Sequence, residues 1–177
     1  MRNKTWKKSD KIYNLYQKNQ DVIRMDVEEA KKLGIKLMEE SKAAILTTID
    51  IVGSPITRAM FNLRNKEQFP EFSEFFKNQK NQFTIYISTN TSSSKVTHLN
   101  YNPNMCVYFC DAEDFKGLML GGSAEIIEDM EIKRKIWLEW WTRYYSEGLE
   151  DPDYTLLRME PTNARFYYKL NQINFKL

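Results

Sequence analysis

Lys95 stands where a cation is ordinarily unwelcome. It closes the run Thr89-Asn90-Thr91-Ser92-Ser93-Ser94-Lys95, which carries five hydroxyls, one carboxamide and one ammonium. The alternating segment Phe83-Thr84-Ile85-Tyr86-Ile87-Ser88 precedes it and reads as a strand, and a short helical pattern over 93–101 follows. The run therefore falls at a helix N-terminus, where free N–H groups and about half a positive charge already gather. A lysine there is repaid by a bound anion, and hydroxyls beside free N–H groups are the donors a phosphate needs. The plainer alternative is a polar loop with a serine cap and a solvated lysine. Arg58 is a second cation of interest, because it sits within the apolar strand pattern Ile56-Thr57-Arg58-Ala59-Met60-Phe61. In a sheet interior it needs a partner, since a buried unpaired charge is costly. On an edge strand a surface carboxylate would serve instead. Arg58 and Lys95 together could neutralise a phosphate dianion, with Thr89, Ser93 and Ser94 adding neutral hydrogen bonds.

Other chemistries find little support. The single histidine, His98, has no Cys, Asp or Glu at ligand spacing, so a histidine-based metal site is not expected. Its expected place is the exposed or interfacial face of the 93–101 helix. No serine has the nucleophile-elbow context, and neither a dinucleotide fingerprint nor a P-loop occurs. Cys106 and Cys110 fall in one strand pattern, about 13 Å apart, too far for a mutual disulfide.

The elements that position these residues follow from hydrophobic period. A helix is expected from Asp26 to about Lys42, with Asp26 as cap, Glu29 three residues on, and Leu33, Leu37 and Met38 as its apolar stripe. Strands are expected at 43–49, 56–61, 83–88, 105–111, 118–128, 154–160 and 164–170, and a short amphipathic helix at 69–79 carries Phe72, Phe75 and Phe76. Gly121-Gly122 interrupts its strand and marks a bulge or a close backbone approach. Asn102-Pro103 ends the helix before it. A longer helix is expected from Glu128-Asp129 to about Tyr145, because Ile132, Ile136, Trp137, Trp140, Trp141 and Tyr144 recur at intervals of three and four. Six or so strands in hairpin-like pairs with helices between them predict a mainly β, α+β fold, a small antiparallel barrel.

Composition sets the outer bounds. The 177 residues suffice for one domain over 26–177, preceded by a basic arm over 1–25 containing Arg2, Lys4, Lys7, Lys8 and Lys11. Residues Trp6, Tyr13, Leu15 and Tyr16 give that arm a weak helical pattern. The balance of 26 basic against 24 acidic residues is too even to make nucleic acid or an anionic membrane the main partner. The arm alone leaves a nucleic-acid contact as a lesser reading. No apolar run reaches the length of a membrane span and the start lacks a signal-peptide core, so a cytoplasmic protein with reduced cysteines is expected.

An ordered set of short motifs gives a more specific expectation: Leu46-Thr47-Thr48, Pro55-Ile56-Thr57-Arg58-Ala59-Met60, Tyr86-Ile87-Ser88-Thr89 with Ser93-Ser94-Lys95, Asn102-Pro103, and Gly122-Ser123-Ala124-Glu125. It ends in Asp151-Pro152-Asp153-Tyr154 with Leu156-Leu157-Arg158-Met159 and Pro161. The set resembles the pyridoxamine 5′-phosphate oxidase-like family of FMN-binding split barrels, in its general-stress-protein branch, over residues 28 to 170. The resemblance implies a homodimer with FMN at the subunit interface. Arg58, Ser93 and Lys95 would then bind its phosphate beside Thr89 and Ser94, and the backbone at Ala59-Met60 would face the ring. Trp141, Tyr144 and Tyr145 fall where the branch has aromatics near the ring, and helix packing is their alternative role. True pyridoxamine-phosphate oxidases carry a C-terminal Arg-x-His element, whereas this chain has Arg165-Phe166-Tyr167-Tyr168, so vitamin B6 oxidation is not expected. Ala59 also replaces the proline that often follows the arginine in the branch. The implied function is flavin-dependent oxidoreduction of an unidentified small molecule with an unidentified electron donor. The alternative is a non-catalytic flavin or haem binder or sensor on the same fold.

Overall fold

The computed structural model describes residues 25–177. The expected basic arm, with its pattern through Trp6 to Tyr16, lies outside the described residues. Helix α1 (Val27–Glu40) opens on Asp26, whose carboxylate accepts the Glu29 N–H at 2.8 Å. It buries Ala30, Gly34, Leu37 and Met38 on one face and gives way to extended backbone at Ser41. Strands β1 (Ala43–Ile49) and β2 (Pro55–Phe61) form an antiparallel hairpin in which Thr47 lies opposite Thr57. The connection to β3 (Ile85–Asn90) contains a 3-10 turn at Pro70–Phe72 and a short helix α2 (Ser73–Lys77). Helix α3 (Ser94–Tyr101) follows, then β4 (Asn104–Asp111) and the long β5 (Lys116–Ile127). Helix α4 (Met130–Lys135) leads through two further 3-10 turns, Glu139–Arg143 and Gly148–Glu150, to β6 (Tyr154–Met159), β7 (Asn163–Tyr168) and β8 (Asn171–Lys176).

The strands join in the order β2-β1-β4-β5-β6-β3, with β7 paired to β5 and β8 to β7, all antiparallel. One edge of β5 serves two neighbours. Gly117 to Gly121 pair with β7, and Ala124 to Ile127 pair with β6. The turn of the sheet between them falls at Gly122, where an added Cβ would lie 3.0 Å from the Glu160 carbonyl oxygen and 3.1 Å from Pro161 Cα. The Gly121-Gly122 pair thus marks a close backbone approach, within a strand that continues through it. The curled sheet leaves β2 and β3 as unpaired edges facing one another, a barrel split along one seam.

Period-two burial builds the barrel core from Ala44, Leu46, Val107, Phe109, Leu118, Leu120, Leu157, Met159 and Phe166, closed by Leu37 and Met38 of α1. A second, aromatic core gathers Phe69, Phe72, Phe76, Tyr86, Trp141, Tyr145 and Tyr154 beside the seam. No helix among the described residues is long and apolar enough to cross a membrane.

The structure departs from the sequence reading in three places. The helix expected through Tyr145 stops at Lys135, because Leu138 turns extended (φ −122°, ψ 130°). That break sends Trp141 into the aromatic core, 1 % exposed, while Trp140 stays 40 % exposed against Phe61. The spacing of three and four survives the break, which is why it reads as one helix. The last expected strand ends at Tyr168 and an eighth strand follows, joined by a two-residue turn at Lys169 (φ 47°) and Leu170 (φ 66°). Finally, β3 runs on to Asn90, so Thr89 is a strand residue paired with Thr155.

Candidate functional site

The split seam holds a cavity of about 530 Å³, within the range of small-molecule and cofactor pockets. Its floor and walls come from Ala59, Met60 and Phe61 of β2, Ser88, Thr89 and Asn90 of β3, Lys95 of α3, and Trp141, Tyr144 and Tyr145; Lys42 and Ala43 complete it. Among the described residues β2 pairs only with β1, so its other edge presents backbone N–H and C=O groups to the seam. Phe61 and Tyr144, 47 % and 57 % exposed, stand at the rim, whereas Trp141 and Tyr145 are buried in the wall. Trp141 packs on Phe72, Trp137 and Trp140, and its indole N–H is buried without an acceptor. The Tyr145 phenol is pushed up to about 12, mainly by burial and further by Asp153 and Asp151, so it stays protonated and remains a donor at neutral pH.

The cationic end of the cavity is built around two buried threonines. Lys95 Nζ donates to Thr89 Oγ1 at 2.8 Å, and Ser93 Oγ lies 3.5 Å from the same oxygen. Ser93 occupies the N-cap of α3 with a side chain that makes no capping bond, so its hydroxyl is not consumed by the helix. Ser94 and Lys95 occupy the first turn, where backbone N–H groups have no intrahelical acceptor. Arg58 Nη1 donates to Thr48 Oγ1 at 2.7 Å, and that hydroxyl lies 3.0 Å from His98 Nδ1. Arg58 Nη2 is buried with no partner.

Neither cation enters an ion pair with any described residue. The edge position of Arg58 matches one of the two sequence alternatives, yet the surface carboxylate that alternative calls for is missing. Burial lowers the Arg58 pKa, and burial together with the neighbouring Arg58 charge lowers that of Lys95. Two neighbouring cations depressed by burial, Lys95 further by Arg58, with no carboxylate between them favour an anion.

The structure thus brings Ala59, Met60, Thr89, Lys95, Trp141, Tyr144 and Tyr145 to one cavity, with Ser93 beside Thr89 and Arg58 behind the lining, close enough for its charge to act on Lys95. Ser94 is exposed in the first turn of α3 and offers its backbone N–H there. Sequence reasoning missed Thr48 and the part played by His98. Of the exposed and interfacial faces expected for it, the histidine takes the interfacial one, half-buried and bonded to Thr48, 50 positions away. No local pattern signals a contact of that separation. Phe61, Ser88 and Asn90 were within reach of the strand patterns, since each neighbours a residue already singled out. Among the described residues no cluster of His, Cys, Asp and Glu could hold a metal.

Comparison with known proteins fits this geometry. The family model described as pyridoxamine 5′-phosphate oxidase like matches residues 28–176. The chain belongs to the pyridoxamine 5′-phosphate oxidase-like family. Among solved structures it is similar to a Clostridium acetobutylicum protein related to general stress protein 26 of B. subtilis. The two are 31 % identical with a TM-score of 0.67, over 86 % of this chain and 97 % of that one. General stress protein 26 from Bacillus anthracis shares the fold at 22 % identity and a TM-score of 0.62, over 86 % of this chain and all (100 %) of the other. So does a heme binding protein from Mycobacterium smegmatis, 13 % identical with a TM-score of 0.61, over 88 % of this chain and 60 % of that one. No curated protein matches the chain. The family and the strand order agree on a split barrel.

Proposed function

We propose that this protein binds FMN in the seam cavity as a homodimer and serves as a flavin-dependent oxidoreductase for a small molecule. The observation that carries the reading is Lys95, which lines one end of an aromatic-walled cavity, and the neighbouring Arg58 whose charge acts on it, neither with a carboxylate partner among the described residues. The residues fit the group. A phosphate dianion would find Arg58 Nη2, Lys95 Nζ, the hydroxyls of Thr89 and Ser93 and the first N–H groups of α3, and a flat ring system would find Trp141, Tyr144, Tyr145 and the free edge of β2. The bound flavin would supply the hydride or electron chemistry. The chain's own side chains bind, orient and exclude water, and the Tyr145 phenol holds a proton at the cavity wall.

The homodimer reading is supported by the outer face of the sheet, where Phe61 and Ala59 of β2, Ile45 of β1, Tyr108 of β4 and Met119 of β5 share one side by register. The face also carries the Thr47–Thr57 pair and Arg165, and its apolar part borders the rim at Phe61 and Ala59.

A visible spectrum of the purified protein, followed by addition of NADH or NADPH without oxygen, tests the proposal. Yellow protein whose flavin bands bleach supports an oxidoreductase. Flavin that binds and resists both donors supports the non-catalytic binder, and colourless protein that takes up no FMN refutes both. The Arg58→Ala, Lys95→Ala variant is expected to purify without flavin.

A further inference from the structure

A second cluster of charges, away from the seam, has an unmet requirement. Arg64 follows β2 and is 5 % exposed. Burial lowers its guanidinium to about 10 while Glu39 pulls it upward, so it stays a cation at neutral pH. A buried cation is costly unless hydrogen-bonded to an anion. Its Nη1 donates to the Thr84 carbonyl at 3.1 Å, and its carbon lies 4.7 Å from the centre of the Phe76 ring. Neither partner is charged. Glu39, the carboxylate that acts on it, is bonded to Lys66 at 2.8 Å, and Glu74 accepts from Asn78 at 3.0 Å. Arg64 Nε is buried with no acceptor.

Nε and Nη2 form the edge with which a guanidinium grips two oxygens. Arg158 uses that edge on a carboxylate, both atoms donating to one oxygen, Oε2 of Glu125, at 3.2 and 2.7 Å. In Arg64 the same edge has no carboxylate. The residue lines a cavity of about 160 Å³ with Lys66, Lys77, Ser73 and Gln82, where three cations face Glu39 and Glu74. This cavity shares no lining residue with the seam and is too small for a nucleotide beside the seam's 530 Å³.

We propose that the Arg64 cavity is a second anion site, taking a small tetrahedral oxyanion such as phosphate or sulfate on the free edge of Arg64, with Lys77 and the Ser73 hydroxyl. Apart from Glu39, its walls come from the 64–82 connection between β2 and β3. A bound oxyanion therefore ties Arg64 to Ser73 and Lys77 within that connection. The segment it ties carries Phe72 and Phe76, which pack on Trp141 and Tyr86.

The test removes the competing site first. Thermal melts and calorimetric titrations are run on the full-length Arg58→Ala, Lys95→Ala variant with sodium phosphate, sulfate, acetate and chloride at matched ionic strength. Phosphate and sulfate are expected to raise the melting temperature above chloride and acetate. Adding Lys77→Ala and Ser73→Ala, both surface-accessible changes, is expected to weaken sulfate about tenfold or more, the size of a lost charge-assisted hydrogen bond. Arg64→Lys keeps the charge without the edge and is expected to weaken it as much. Phosphate and sulfate acting no more than chloride overturn the proposal, as does an unchanged response in both sets of variants. Acetate binding as tightly as sulfate overturns the tetrahedral class.

Discussion

At the residue scale, the cationic end of the cavity depends on hydroxyls that orient its charges. Thr48 is fully buried and accepts from Arg58, with His98 on its other side. Thr48→Val keeps the shape and removes the acceptor, leaving a buried N–H unpaired. Such a loss costs about 1–3 kcal/mol, so FMN affinity is expected to fall roughly tenfold or more while riboflavin affinity holds, as read by fluorescence titration. Lys95 gives a pH prediction. Its pKa is lowered by burial and by Arg58, so in the free protein it loses its proton before an ordinary lysine does. Between the lowered folded value and the ordinary unfolded one the unfolded chain binds more protons, and free-protein stability contributed by this group rises with pH there. A bound dianion favours the charged lysine. FMN affinity is therefore expected to be highest above the second phosphate ionisation, at about pH 6, and to fall on the alkaline side as Lys95 deprotonates. Lys95→Arg is expected to move the alkaline limb upward.

At the element scale, what local pattern could and could not convey becomes visible. Strands β1 and β4 read correctly because alternation of the Ala44, Leu46, Thr48 kind is written in consecutive residues, whereas β6, buried almost throughout, reads as a strand from its short apolar run. The cation at the start of α3 was legible because helix ends have fixed electrostatics. The break after Lys135 was not, because burial of Trp141 against Phe72 and Tyr154 overrides a continuous three-four period. The β7–β8 turn was hidden for another reason. A two-residue turn with both central residues at positive φ is ordinarily announced by Asn-Gly, and here Lys169-Leu170 fills it with Leu170 86 % exposed. Left-handed backbone costs a non-glycine residue about 1–2 kcal/mol, partly offset by the greater freedom glycine gains on unfolding. The variant Lys169→Asn, Leu170→Gly is expected to be more stable by about 1 kcal/mol, measured as a rise in the urea midpoint at unchanged slope.

At the scale of the whole molecule, two cores divide the work. The aliphatic barrel core holds the sheet, and the aromatic core beside the seam, drawn mainly from the β2–β3 and β5–β6 connections, walls the cavity with Trp141 and Tyr145. The family and the barrel were readable from ordered motifs spread along the chain, whereas the Thr48–His98 link and the Arg64 cavity arise only when distant segments meet. The proposed homodimer would set a second subunit against the edge strand β2 and the outer face beside the cavity rim. Sedimentation velocity at micromolar concentration is expected to show a dimer, and Phe61→Glu is expected to give monomer with weakened FMN binding. The central claim is that Arg58 and Lys95 hold a phosphate. It is tested most directly by comparing FMN with riboflavin, which lacks only that group. Two charge-assisted contacts predict that FMN binds the protein about 10²–10⁴-fold more tightly, and that the ratio collapses towards one in the Arg58→Ala, Lys95→Ala variant. Equal affinities for the two flavins in the unaltered protein, or a ratio that survives the double substitution, would contradict the account.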